Sequence, residues 1–225
     1  MIIIGNGRLI TRNAAEPYYE NGAVVTENEL IKETGTTAEM RLKYPDAEFV
    51  DAKGGVIMPA FINAHTHIYS ALARGLSIAG YNPTNFYEVL DGMWWKIDRS
   101  LTLEDTRRSA YTTIIDCIKT GCTTIFDHHA SFCQIEGSLF AIADAAKALG
   151  IRACLCYEVS ERDGEKKCDE SIEENKSFID HCERENDPML KAMFGVHALF
   201  TIGDKTFEKC VKANGGRTGF HIHVC

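Results

Sequence analysis

The sequence is short of positive charge. Its 225 residues carry 24 Lys and Arg against 32 Asp and Glu, a net charge of −8. Nucleic-acid binding selects for the opposite balance. No uninterrupted apolar stretch reaches the roughly 20 residues that cross a bilayer. The opening Met1-Ile2-Ile3-Ile4 lacks a basic lead and runs straight into Gly5-Asn6-Gly7, so it reads as a strand and not as a secretory signal. There is no internal repeat, no low-complexity segment and no Cys-x-x-Cys. The nine cysteines are odd in number and scattered through core-like stretches. They read as reduced thiols of a cytoplasmic protein. Cys154-x-Cys156 lies in an apolar run and reads as two small buried hydrophobes.

What is present alternates. Residues 1–54 read as short strands and turns. Met1 to Thr11 looks like a hairpin around Gly5-Asn6-Gly7, Gly22–Glu27 is a strand, Glu29–Tyr44 has helical character, and Glu48–Ala52 is a strand. From residue 55 onward, apolar strands at Val56–Ala64, Cys122–Asp127, Ile151–Val159, Leu190–Leu199 and Gly219–Cys225 are separated by helices. Thr102 and Asp105 form a capping box for the helix to Thr120. Ile135–Leu149, Asp169–Glu185 and Asp204–Ala213 are the others, the acidic third one being a solvated face. Strands and helices in this rhythm mean βαβ units and a parallel sheet.

Two strands end in histidine pairs. Val56 to His67 reads VIMPAFINAHTH, and the last residues read GFHIHVC. Residues two apart on a strand share a face, so each run presents two imidazoles on one side of its C-terminal end. Imidazole is the commonest side-chain ligand of zinc and related metals. His65 and His67 are therefore candidate metal ligands. His221 and His223 likewise share a face of their strand, with His223 nearer the strand end.

Asn63-Ala64-His65-Thr66-His67 with Arg74-Gly75, then GCTTIFDH (121–128), GIRACL (150–155), GVHALFT (195–201) and HIHV (221–224), resemble in order the aminohydrolase and chlorohydrolase branch of the amidohydrolase superfamily. WWKIDRSLTLED (94–105) resembles its SsnA-like aminohydrolases. The resemblance covers nearly the whole chain. It implies an α/β fold, a metal-dependent (β/α)8 TIM barrel, with residues 1–54 as part of a small β-sandwich and residues 55–225 as barrel strands one to five. Such a barrel takes about 250 residues by itself.

The resemblance implies a site as well. His65, His67 and His223 bind one divalent ion, with zinc preferred over iron or manganese for a His-rich set. His221 sits one layer deeper. His197 contacts substrate, or else caps the barrel interior. His128 or His129 lines the pocket or is solvated, Arg74 anchors substrate or pairs with a loop acid, and Trp94 with Trp95 roofs a flat ring, fills a core or makes a subunit contact. The family's binuclear members carry a modified lysine at the end of strand four. Here Lys191 stands at that strand's beginning, which favours a single ion. The shuttle Glu of the pattern His-x-x-Glu, and a later-strand Asp, fall beyond Cys225.

The implied chemistry is hydrolytic deamination of a purine-, pyrimidine- or triazine-like heterocycle by metal-activated water. The runner-up is cyclic-amide or halide hydrolysis. A rival of another class is a non-catalytic fragment or assembly piece. No nucleic-acid or membrane partner is expected, and the full-length protein is expected to be a homo-oligomer. Five strands leave two sheet edges unpaired. Residues 1–225 expressed alone are therefore expected to be oligomeric or poorly soluble and to release no ammonia, which light scattering and an ammonia assay check.

Overall fold

A computed structural model describes residues 1–224; Cys225, the end of the fifth expected strand, lies outside the described residues. The chain divides into two compact units, Met1–Ala60 and Phe61–Cys225.

The first unit is a five-stranded sheet: β1 Ile2–Ile10, β2 Tyr18–Glu27, β3 Leu30–Thr36, β4 Glu48–Asp51 and β5 Val56–Ile57, with helix α1 Thr37–Lys43. β3, β2 and β1 pair antiparallel, while β4 and β5 each pair parallel to β1. Ile3, Ala23, Val25 and Met40 form its core.

Three sequence expectations change here. Gly5-Asn6-Gly7 is not a hairpin turn but a bulge inside β1, where Asn6 takes φ 56° and the register to β2 shifts. The glycines are there for closeness. A Cβ on Gly5 would lie 2.9 Å from the Phe49 ring, and one on Gly7 would lie 2.8 Å from Ile57. The helical character expected from Glu29 appears only after Thr36, because cross-strand pairing with β2 takes Leu30–Thr36. The helix then starts on a capping box between Thr36 and Glu39. Finally, Val56–Ile57 pairs with β1, and the histidine-bearing strand begins at Phe61. Pro59, lacking an N–H, stands between them and ends the ladder.

The second unit alternates strand and helix. β6 Phe61–Thr66 leads through a 3₁₀ turn, Ile68–Ala73, into α2 Phe86–Val89, a π-turn at Leu90–Trp94, and α3 Trp95–Asp98. Then follow α4 Leu103–Lys119, β7 Cys122–His129, α5 Ser138–Leu149, β8 Arg152–Tyr157 and α6 Glu165–Glu185. The remainder is β9 Leu190–Ala192, β10 Phe194–Ala198, α7 Asp204–Asn214 and β11 Phe220–His223. The expected capping box of Thr102 and Asp105 opens α4. β6, β7, β8 and β9 pair parallel in chain order, β10 pairs parallel with β11, and a Val159–Val196 bridge joins the two sets. All strands point the same way, so their C-terminal ends share one rim. Helix faces and strands meet over Ile114, Ile125, Leu139, Ile142, Leu155 and Phe178, all buried. Among the described residues no helix is long and apolar enough to cross a membrane.

The fourth expected strand breaks at Met193 into β9 and β10. There the backbones crowd: a Cβ on Gly195 would lie 2.2 Å from the Tyr157 carbonyl oxygen. Asn175 of α6 closes the gap as a surrogate peptide. Its Oδ1 accepts from the N–H of Tyr157 at 2.9 Å and of Gly195 at 3.0 Å, and its Nδ2 donates to the Tyr157 carbonyl at 2.8 Å. α6 is therefore not merely a solvated acidic face. Its Glu174 is also buried and accepts from the N–H groups of Gly137 and Leu139, capping α5, whose own N-cap Gly137 has no side chain to do so.

Asn175→Ala would leave two buried N–H groups without acceptors, each costing about 1–3 kcal/mol. A loss of at least about 2 kcal/mol in unfolding free energy is expected by urea titration. An unchanged urea midpoint would contradict the bridging role.

Candidate metal centre

Strand direction brings the histidines together. His65 lies in β6 and His67 just after it, His128 and His129 end β7, His197 lies in β10, and His221 and His223 lie in β11. The ligand atoms of His65, His67 and His223 all fall within 4.8 Å of one another.

Backbone carbonyls decide which ring atoms face inward. His67 Nδ1 donates to the His128 carbonyl at 2.8 Å, and His223 Nδ1 donates to the His197 carbonyl at 2.7 Å. A carbonyl only accepts, so each Nδ1 carries its proton and each Nε2 is left as the metal-facing atom. His65 Nδ1 is engaged by His221 Nε2 at 2.8 Å, which again leaves Nε2. His65 Nε2 and His223 Nε2 stand 3.4 Å apart. Two nitrogens bound at about 2.1 Å around a tetrahedral ion lie roughly 3.4 Å from each other. The donor set thus fits a zinc-type ion. Burial holds His65 and His223 below the usual imidazole pKa, favouring the neutral ligand form. For His67 burial acts in the same direction, but the carboxylates of Glu158 and Asp127 outweigh it and raise the ring to about 9. A cation at Nε2 takes the place of that second proton.

Beside the triad is a cavity of about 290 Å³, lined by His67, Tyr69, Phe86, Leu90, Trp94, Glu158, His197, Phe200 and His223 among others. His197 is buried, its Nδ1 lies 3.0 Å from Thr201 Oγ1, and burial depresses its pKa to about 4. It is a neutral imidazole at neutral pH. Trp94 reaches the cavity from the π-turn, whereas Trp95 is buried against Tyr87. α3 is pinned by an ion pair that the sequence reading missed. Arg162 Nη2 lies 2.5 Å from Asp98 Oδ2, both side chains are buried, and the guanidinium stacks on Phe132 and Trp95.

Two expected pocket residues are elsewhere. His128 is fully buried behind the triad, its Nε2 donating to the His221 carbonyl at 3.1 Å and its ring stacked on His221. Arg74 is exposed and pairs with Asp116 of α4 at 2.7 Å. Its reach is spent on α4, so it does not line the cavity.

Glu158, one residue past β8, is the functional candidate absent from the sequence reading. It is 1% exposed. One carboxylate oxygen lies 3.3 Å from both His67 Nδ1 and His128 Nδ1, and the other lies 3.6 Å from His197 Nε2. Burial would raise its pKa, yet the adjacent His128 ring carries it well below the usual range. Its one legible signal is an acid closing an otherwise apolar strand, Cys154-Leu155-Cys156-Tyr157, at the rim where barrel enzymes place reactive groups.

A parallel, helix-covered sheet with imidazoles gathered at its C-terminal rim defines a barrel-type α/β protein with a histidine-rich centre. Residues 56–225 match the pattern of the Amidohydrolase family, and the chain belongs to that family. Residues 22–47 match an imidazolonepropionase-like composite domain of bacteria. The 5'-deoxyadenosine deaminase of Methanosarcina barkeri is 30% identical over 224 residues, 99% of this chain and 48% of that protein. The 5-methylthioadenosine/S-adenosylhomocysteine deaminase of Syntrophomonas wolfei is 29% identical over 227 residues, again covering 99% and 48%. The chain spans about half the length of these curated relatives. Atrazine chlorohydrolase TrzN from Arthrobacter aurescens TC1, solved with zinc, superposes with a TM-score of 0.77 at 20% identity, covering 99% of this chain and 52% of that one. A zinc-bound adenosine deaminase from Xanthomonas campestris superposes at 0.76 and 20%, covering 99% and 48%. These likenesses establish the barrel fold read from the sequence.

Because Arg74 is committed to Asp116 at the surface, an Arg74→Ala variant of the full-length protein is expected to keep KM and kcat within about twofold, the surface-substitution range. A tenfold rise in KM would return Arg74 to the pocket.

Proposed function

We propose that this chain forms the metal-binding part of a hydrolase that removes an amino group from an adenosine-like or related nitrogen heterocycle. The observation that carries this reading is the convergence of three Nε2 atoms, from His65, His67 and His223, beside a cavity walled by aromatic side chains. The deaminase names of the relatives that align along the whole chain support the substrate class.

In this reading His65, His67 and His223 hold one divalent ion, zinc before iron or manganese. When bound, such an ion acts as a Lewis acid and activates water near neutral pH for attack on an sp² carbon. The chain's own residues do the rest of what is visible. The carbonyls of His128 and His197 keep two ligand rings oriented. His197, neutral and on the cavity wall, presents its ring to the substrate. Phe86 and Trp94 contribute flat apolar walls that suit an aromatic ring and limit bulk water. Residues 1–60 belong in this proposal to a small sandwich and residues 61–225 to the barrel, the boundary expected at residue 54 moving because Val56–Ile57 pairs with β1. The whole protein is read as a cytoplasmic homo-oligomer.

The test is metal analysis of the full-length protein with an ammonia-release screen over adenosine, its 5'-deoxy and 5'-methylthio analogues, guanine and triazines. One ion per chain and turnover on at least one ring are expected. Replacing His65 and His67 together with Ala, or His223 alone, is expected to remove the ion and nearly all turnover. His221→Ala is expected to weaken metal binding by about 10–100-fold, as loss of a supporting partner does. Stoichiometric metal in the double variant would sink the site, and two ions bridged by a modified lysine would sink the single-ion reading. A full-length protein that binds metal but turns over no heterocycle would favour the non-catalytic rival.

A further inference from the structure

Glu158 has no obvious reason to be buried. It is a carboxylate 1% exposed on the cavity wall, and among the described residues no lysine or arginine pairs with it. Its near neighbours are three imidazoles at 3.3, 3.3 and 3.6 Å. These are longer than the roughly 2.7–2.9 Å of a charge-assisted hydrogen bond. A buried carboxylate whose only partners are imidazoles at these distances is costly unless its neighbourhood uses the charge.

Its two oxygens face different parts of the site. Oε1 lies behind His67, on the Nδ1 edge, opposite the Nε2 that faces His65 and His223. The same oxygen meets His128 Nδ1, a buried ring nitrogen with no hydrogen-bond partner. Oε2 faces Nε2 of His197 on the cavity wall. We propose that Glu158 is a positioning residue: its carboxylate shares the His67 Nδ1 proton with the His128 carbonyl and faces His197 Nε2, and so helps hold the metal-facing ring of His67 and the cavity-wall ring of His197 in register. This rests on the metal-centre reading above. A carboxylate behind a ligating imidazole fixes the ring and raises its basicity, and such partners are worth about 10–100-fold in metal affinity.

A competing use is Glu158 as a ligand of a second ion, since His67, His128 and Glu158, and likewise Glu158, His197 and His223, also cluster within 4.8 Å. The hydrogen bonds argue against it. His67 and His223 each spend Nδ1 on a carbonyl, which leaves one nitrogen apiece, and both of those already face His65. A second ion would have to take a ligand from the first.

The experiment uses the full-length protein with zinc. Glu158→Gln keeps the shape and removes the charge. Zinc affinity is measured by competition with a chromogenic chelator, alongside the visible absorption of the cobalt-substituted protein. The expected result is about 10–100-fold weaker zinc binding, a shifted cobalt band, and a raised KM, at an unchanged circular-dichroism spectrum. Should Glu158→Gln fail to fold, Glu158→Asp keeps the charge one methylene further back and is expected to bind zinc with intermediate affinity; wild-type affinity there overturns the proposal. Unchanged zinc affinity in a folded Glu158→Gln, with His67→Ala losing the ion, overturns the positioning role and leaves the metal centre standing. Zinc retained by His67→Ala overturns the metal centre itself. Two ions in the wild type and one in Glu158→Gln make Glu158 a ligand, which also overturns the proposal.

Discussion

The site depends on two hydrogen bonds from ring nitrogens to main-chain carbonyls. His67 gives its Nδ1 proton to the carbonyl of His128, and His223 gives its own to that of His197. Each acceptor belongs to the neighbouring strand, so each bond exists only if the two strands are paired in parallel and in the observed register. A slip of one residue turns every side chain to the other face. The orientation of a candidate metal ligand is therefore set by sheet pairing and not by its own rotamer preference. A carbonyl has no donor form, so the choice of nitrogen is settled chemically as well.

Register in turn rests on how the strands are allowed to approach. Gly195 lets β10 close on Tyr157 where no side chain fits, and Asn175 restores the hydrogen bonds that the break in the ladder would forfeit. One residue earlier on the same helix, Glu174 caps α5. α6 thus presents an acidic outer face to water and sends Glu174 and Asn175 inward. Both are fully bonded, as buried polar groups must be to avoid costing about 1–3 kcal/mol apiece.

The aromatic wall is held by ion pairs. The insertion after β6 forms only short helical turns, and a segment of that kind has little stability of its own. Asp98 and Arg162 supply the missing constraint, with the guanidinium sandwiched near Phe132 and Trp95. Arg99 and Asp163 repeat the link at 2.7 Å. Leu90 and Trp94 face the cavity from the intervening π-turn, a distortion often found where a helix must aim side chains at a site.

Much of this was written in the chain. Period-two spacing put His65 with His67 and His221 with His223, alternation of strand and helix implied the parallel sheet, and Thr102 with Asp105 marked the start of α4. These are local signals, carried by residues within a turn or a pleat of each other. Other features were settled only by distant partners. Gly5-Asn6-Gly7 has turn chemistry, yet β4 and β5 pack against it and make it a bulge. Leu30–Thr36 has ambivalent propensity, and pairing with β2 decided for strand. Arg74 and His128 looked equally able to face a pocket, but Asp116 and the His221 carbonyl claimed them. Glu158 is an ordinary acid in the sequence. It meets three imidazoles because β7, β10 and the turn after β6 each bring it one, and no local pattern encodes a meeting of residues 67, 128, 158 and 197.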